Sequence, residues 1–368
     1  NLTGAYQPFL KIVDQGNNYP ANAFFSLPTY VGSIGQTTGE AINILPSLVG
    51  ATLVGVDKSS QNGYNFILMA QDFFNKKNGE NLYLNLNATS SGTDWWYDMM
   101  PNVFFYQLYD LYPNMGGEAD QQVRQIADQM LGAVRAMGGS ATPWSQPFMT
   151  YRAWSFQDSE PLAEGVPEPE AAGAFAWLLY NAYQLFGGEK YRIGAEWAME
   201  YLVSLSGNPS YELQLPYGTY IAAKMNAELG TEYNIEKLVN WSFDRGNLRG
   251  WGTIVDTWNG IDVSGLVGES ETTTDYAFQL NGIQQAAALA PMVRYDKRFA
   301  RSIAKWILNL ANSNRLFYHG FLPTFLQDAS EWSEVNDPLR VIGYEAIRED
   351  FNGLTPYATG DAVEGGWA

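Results

Sequence analysis

The fold this sequence predicts is all-α: a ring of helical hairpins with long loops gathered on one face. Three observations predict it. Apolar residues recur at helical spacing through most of the chain, in pairs of segments joined by tight turns. The second segment of a pair opens on an aromatic residue and carries a tryptophan about two turns later: Tyr191 and Trp197, Tyr233 and Trp241, Phe299 and Trp306. Turns inside pairs are short (GGEKY, GTEY, RYDKR, YPNMGG), whereas connections between pairs are mostly long and rich in Trp, Tyr, Gly and carboxylates. If first helices line a ring and second helices wrap it, every between-pair connection emerges at the same end.

Taken in order, AYQPFLKIVDQ near the N-terminus reads as a second-of-pair helix, and fainter helical periods cover 41–57, 63–77, 98–112 and 117–138. In EPEAAGAFAWLLYNAYQLFGG, residues Phe175, Leu178, Leu179, Ala182, Tyr183 and Phe186 follow the i, i+3, i+4, i+7 rule, and Gly187-Gly188 cuts the helix. EKYRIGAEWAMEYLVSL resumes with Tyr191, Ala195, Ala198 and Leu202 on one face. LPYGTYIAAKMNAELG with TEYNIEKLVNWSF, and TDYAFQLNGIQQAAALAPMV with KRFARSIAKWILNLAN, repeat the unit. GYEAIRED at 343–350 reads as one more first helix, paired with the N-terminal segment, which closes the ring at six hairpins. The whole chain, 1–368, is expected to be one domain cut from a longer protein, since it starts at Asn1 and stops at EGGWA. A removed leader would make it secreted or extracytoplasmic.

Composition narrows the function. A net charge of -18 repels nucleic-acid phosphates and anionic lipid headgroups. No apolar run approaches the roughly 20 residues of a membrane span. The chain has no cysteine and one histidine, His319, so neither a thiolate nor a multi-histidine metal centre is expected. No cofactor is expected; the acidic run 158–170 offers at most a structural calcium site and lacks EF-hand spacing.

Candidate chemistry sits on the long connections, where function usually resides. In SGTDWWYDMMPN, Trp95, Trp96 and Tyr97 offer flat apolar faces for a pyranose, while Asp94 and Asp98 accept hydrogen bonds from its hydroxyls. Asp98, nearest the helix start, reads as the cap, leaving Asp94 as the first choice for a catalytic carboxyl. The glycine-punctuated stretch 250–276 presents Trp251, Asp256, Trp258 and Asp262: its tryptophans are candidate substrate contacts and its aspartates candidate partners for Asp94. Glu168 is accounted for by helix-start chemistry, whereas Glu170 is expected to project into the mouth as a further candidate. Just upstream, Tyr151, Arg152 and Trp154 are expected to contact a sugar. NSNRLFYHGF carries Asn314, Arg315, Tyr318 and His319, the residue types an eliminating lyase needs. The between-pair connections hold about 16 carboxylates against about five arginines and no lysine, a charge that disfavours a polyuronate.

These hairpin repeats and aromatic, acidic loops resemble the (α/α)6 toroid superfamily of carbohydrate-active enzymes, the six-hairpin glycosidases and related polysaccharide lyases. The resemblance is architectural, spans nearly the whole chain and carries over no catalytic residue. It implies an (α/α)6 barrel and a glycoside hydrolase acting on an oligo- or polysaccharide. One carboxylic acid, drawn from Asp94, Asp256, Asp262 and Glu170, would protonate the leaving oxygen; a second would activate water with inversion. A β-eliminating polysaccharide lyase using Asn314, Arg315, Tyr318 and His319 is the second expectation, and a non-catalytic glycan-binding module the third.

Overall fold

The computed structural model describes residues 41–61, 63–76, 79–85, 90–270, 275–318, 320–326 and 346–349. Helix dominates: α1 (Ala41–Leu53), α2 (Phe66–Met69), α3 (Trp95–Leu111), α4 (Ala119–Ala136), α5 (Ala171–Phe186), α6 (Glu189–Ser204), α7 (Gln214–Leu229), α8 (Ile235–Phe243), α9 (Gln279–Met292) and α10 (Ala300–Ser313). Helices α3 to α10 form four consecutive pairs, and the first helices pack in chain order, α1 on α3, α3 on α5, α5 on α7, α7 on α9. The second helices lie outside this row, with α4 against both α5 and α6.

Sequence explains the two layers. Along α5 every residue from Ala171 to Tyr180 is buried, as expected of a helix covered on all sides. On α10 only Ile303, Trp306, Leu310 and Ser313 are buried, a single stripe spaced by three and four residues. The backbones of α5 and α7 meet at two glycines: a Cβ on Gly218 would lie 2.7 Å from the Gly173 Cα, so neither position accepts a side chain without separating the helices. The short turns begin on Gly187 and Gly230, whose φ values of 73° and 72° are left-handed, and whose N–H groups cap the preceding helices.

Two expected helices are corrected. Most of 63–77 is not α-helix: α2 lasts one turn, passes through a 3-10 turn, and gives way to strand β1 (Phe74–Asn75), paired antiparallel with β2 (Leu82–Tyr83). Burying Phe74 beside Tyr83 wins over continuing the helix. Within 343–350, residues Ala346–Arg348 form a strand, not a first helix. It pairs with Tyr276–Phe278 at the edge of a four-stranded antiparallel sheet that continues through Val267–Glu269 to Trp251–Thr253. Buried Ile347 lies opposite buried Ala277 in that sheet. The N-terminal helix expected in AYQPFLKIVDQ lies outside the described residues.

The core has two parts. The larger joins α1 and the paired helices; the smaller gathers Trp251, Trp258, Val263, Leu266, Trp306 and Phe317 around the sheet. No helix among the described residues is long and apolar enough to cross a membrane.

Candidate active site

The N-terminal ends of α3, α5 and α7, and the sheet leading into α9, converge on one cluster of charged and tyrosine side chains. Its first part is fixed by the segment before α3. Glu80 is fully buried and accepts from the backbone and hydroxyl of Ser91 at 2.8 and 2.6 Å, and the Ser91 hydroxyl accepts from Phe156 N–H at 2.9 Å. Asp98 accepts from Gly92 N–H at 2.8 Å. The Tyr151 carbonyl accepts from both Trp95 Nε1 (3.1 Å) and Glu168 N–H (2.9 Å), which sets Arg152 between Asp94 and Glu168.

Arg152 forms ion pairs with Asp94 and with Glu168, the latter at 2.5 Å, and donates to Tyr211 Oη at 2.6 Å. A second arginine mirrors it. Arg249 pairs with Glu212 and, at 2.8 Å, with Glu269, and donates to Tyr276 Oη at 3.0 Å; Tyr276 in turn donates to Glu269. The Tyr211 ring joins the halves, with the Arg152 and Arg249 guanidiniums 5.3 and 4.9 Å from its centroid. Asp94, Arg152, Glu212, Arg249 and Glu269 each expose only 14–20% of the side chain, so the cluster is recessed yet reachable.

Four carboxylates meet two arginines here, and burial decides which hold protons. Burial raises the Glu168 carboxyl well above its usual range, with Asp94 adding to the rise and Arg152 opposing it. Its second oxygen has no hydrogen-bond partner among the described residues. Glu212 is pushed up to about 7, by burial first and by the charges of Asp94 and Glu170, against the pull of Arg249. Burial also raises Tyr211, although both arginines favour its phenolate. The recess thus combines a carboxyl that titrates at about 7, Glu212, with Asp94, paired to a permanent cation.

The sequence-predicted residues divide sharply. Asp94 joins the cluster, and it is the helix cap: its side chain accepts from Trp96 N–H at 2.8 Å. The role expected of Asp98 is corrected, because that carboxyl is buried within the first turn, where burial raises it well above its usual range. Arg152 joins at the centre. Glu170 does not project into the mouth; it is fully buried and accepts from the N–H groups of Glu212 (2.8 Å), Gln214 (3.3 Å) and Leu215 (3.2 Å), capping α7 from outside. Asp256 and Asp262 are exposed around the two-stranded hairpin of Thr257–Trp258 and Ile261–Asp262, and bond to N–H groups of Thr257 and Ser264 in their own turn.

The expected sugar-stacking tryptophans are corrected too. Trp95, Trp96, Trp154, Trp251 and Trp258 are all buried, at 0 to 7% exposure, and their rings pack in the core with no face for a ligand. Tyr97 is half-buried against the same core. Arg315 is exposed just past α10, Tyr318 packs against the smaller core, and His319 lies outside the described residues.

Tyr211, Glu212, Arg249, Glu269 and Tyr276 are not among the sequence candidates, and the helix-start reading of Glu168 is corrected: it is buried and paired with Arg152. A signal existed: a carboxylate directly precedes successive first helices, Asp94 before Trp95, Glu170 before Ala171, Glu212 two residues before Gln214. Helix N-termini favour such anions, and helices that share an end bring them together. Among the described residues no group of three or more His, Asp and Glu side chains is arranged to hold a metal ion. No family model, curated protein or solved structure matches this chain.

Proposed function

We propose that this protein is a glycoside hydrolase acting on a neutral oligo- or polysaccharide, with Glu212 as general acid and Asp94 as general base. The carrying observation is the recessed cluster in which Glu212 is raised to about 7 while Asp94 is paired with Arg152. Glu212 donates its proton to the glycosidic oxygen as the bond to the anomeric carbon breaks. Asp94 takes a proton from the water that attacks that carbon. Inversion follows if the carboxyls stand about 6.5–9.5 Å apart across the sugar. Arg152 and Tyr211 position the two halves, and the same reading takes the row of first helices as an arc of an (α/α)6 toroid.

Charge and protonation favour hydrolysis over elimination. Both arginines are already shared between two carboxylates each, which leaves little positive charge for a uronate. Tyr211 is raised by burial, the wrong direction for a phenolate base.

Digestion of a polysaccharide panel, with reducing ends and ultraviolet absorbance read together, tests the proposal. Reducing ends without unsaturated product, lowered about 10²-fold or more by Glu212→Gln or Asp94→Asn, are expected. Activity should fall as pH rises through about 7 and Glu212 loses its proton. Undiminished turnover in both variants would refute the assignment, and ultraviolet-absorbing product would replace hydrolysis by elimination.

A further inference from the structure

The connection from α4 to α5 presents aromatic faces that the charged cluster does not use. Strands Ser140–Ala141 and Trp144–Ser145 form a hairpin that sets Trp144 over α6, its ring 5.9 Å from Trp197 and 45% exposed. Trp144 Nε1 donates to Glu200 at 2.7 Å, so the indole is held in one orientation. Gly139 allows the chain to cross here, since a Cβ would lie 2.9 Å from the Trp197 ring. Phe148 is 55% exposed, packs edge-on to Tyr201 at 6.5 Å and to Tyr151 at 5.3 Å, and its N–H is tied to the Met137 carbonyl at 2.9 Å. Trp197 and Tyr201, the rings on which Trp144 and Phe148 pack, are four residues apart on α6, a rise of about 6 Å along the helix.

The row has a direction. From Trp144 through Phe148 it reaches Tyr151, and the next residue, Arg152, is paired with Asp94. Polar groups flank the rings: the Glu200 carboxylate, and Gln146, which bonds to Ser204 at 3.1 Å. Flat apolar faces beside hydroxyl-binding groups, with no arginine or lysine in the row, match a neutral glycan.

We propose that Trp144, Phe148 and Tyr151 form an extended binding platform that holds a neutral polysaccharide chain and leads it to the Asp94–Glu212 recess. The platform deepens the hydrolase reading and rests on it for its direction, but its binding is measurable without turnover.

Native-gel retardation by hydroxyethyl cellulose, galactomannan, xylan and soluble starch, with polygalacturonate as the anionic comparison, is the test. Wild type and the Glu212→Gln variant are both expected to be retarded by at least one neutral polymer. Trp144→Ala with Phe148→Ala should weaken that retardation about tenfold or more, and Trp144→Phe should restore much of it. Both replaced rings are half-exposed, so unchanged circular dichroism and thermal unfolding are expected to show intact folding. No retardation of wild type by any neutral polymer, or equal retardation of the double variant, overturns the platform while leaving Glu212-dependent turnover to stand or fall separately. A double variant that instead loses self-association in sedimentation also overturns it, by assigning the face to a second copy of the chain.

Discussion

The stretches SGTDWWYD at 91–98 and GWGTIVDTWNGID at 250–262 are built alike, with two tryptophans beside two aspartates, and the fold treats them alike only in part. In both, the indoles are buried and fill a core. The aspartates part ways. Asp94 starts a first helix and meets Arg152, whereas Asp256 and Asp262 serve a hairpin turn and remain exposed. A carboxylate beside tryptophan becomes part of a site when the element it begins points into the shared end of the helices. Composition alone does not decide this.

The largest expected effect tests the shared half of the comparison. Trp95→Ala and Trp251→Ala should each cost about 3–5 kcal/mol in urea unfolding, because each removes a fully buried ring and leaves a cavity. A cost below about 1 kcal/mol for either would return that ring to the candidate ligand contacts.

Next comes the half that differs. Arg152→Met should destabilise by about 3 kcal/mol, since it strands Asp94 and the buried Glu168. The loss should be smaller at a pH low enough to protonate Glu168 than at one high enough to ionise it, because burial raises that carboxyl and its protonated form needs no counter-charge. Equal losses at both pH values would show that Glu168 is not the group left unpaired.

Glu170 gives a smaller, pH-dependent effect. Burial raises it from 4.5 to about 7, so the folded state holds a proton that the unfolded chain has released. Its contribution is fully present below about pH 4.5 and is lost as pH rises through about 7. Thermal stability of Glu170→Gln should therefore vary less than wild type between pH 5 and pH 8, a flattening that identical slopes would rule out. The smallest effect belongs to the second stretch: Asp256→Asn should stay within about 0.5 kcal/mol of wild type and keep its turnover. A loss of activity there would bring the hairpin into the site.

Much of the helical part was legible because burial on one face or on all faces imposes a period that the sequence displays. The pairs from Ala171 to Phe243 and the tight turns at Gly187 and Gly230 follow from it. The segments at 63–77 and 343–350 were misread because short apolar runs fit helix and strand equally, and only a pairing partner, Leu82–Tyr83 or Tyr276–Phe278, separates them. Asp94 and Arg152 were legible as charged residues on long loops. Glu212 and Arg249 were less so: a carboxylate just ahead of a first helix is a local signal, but which arginine it meets, and whether the pair loses water, depends on the packing.

The sequence by itself determined the mostly helical class, the two layers of helices and the net negative charge of the chain. Those depend on periodicity and on counts of charge, which are local or additive. Tertiary structure alone decided that the tryptophans go inward, that Glu170 caps a neighbouring helix, and that Tyr211 lies between two arginines. Each of these depends on which groups lose water together, and that is fixed only when residues distant in the chain are packed side by side.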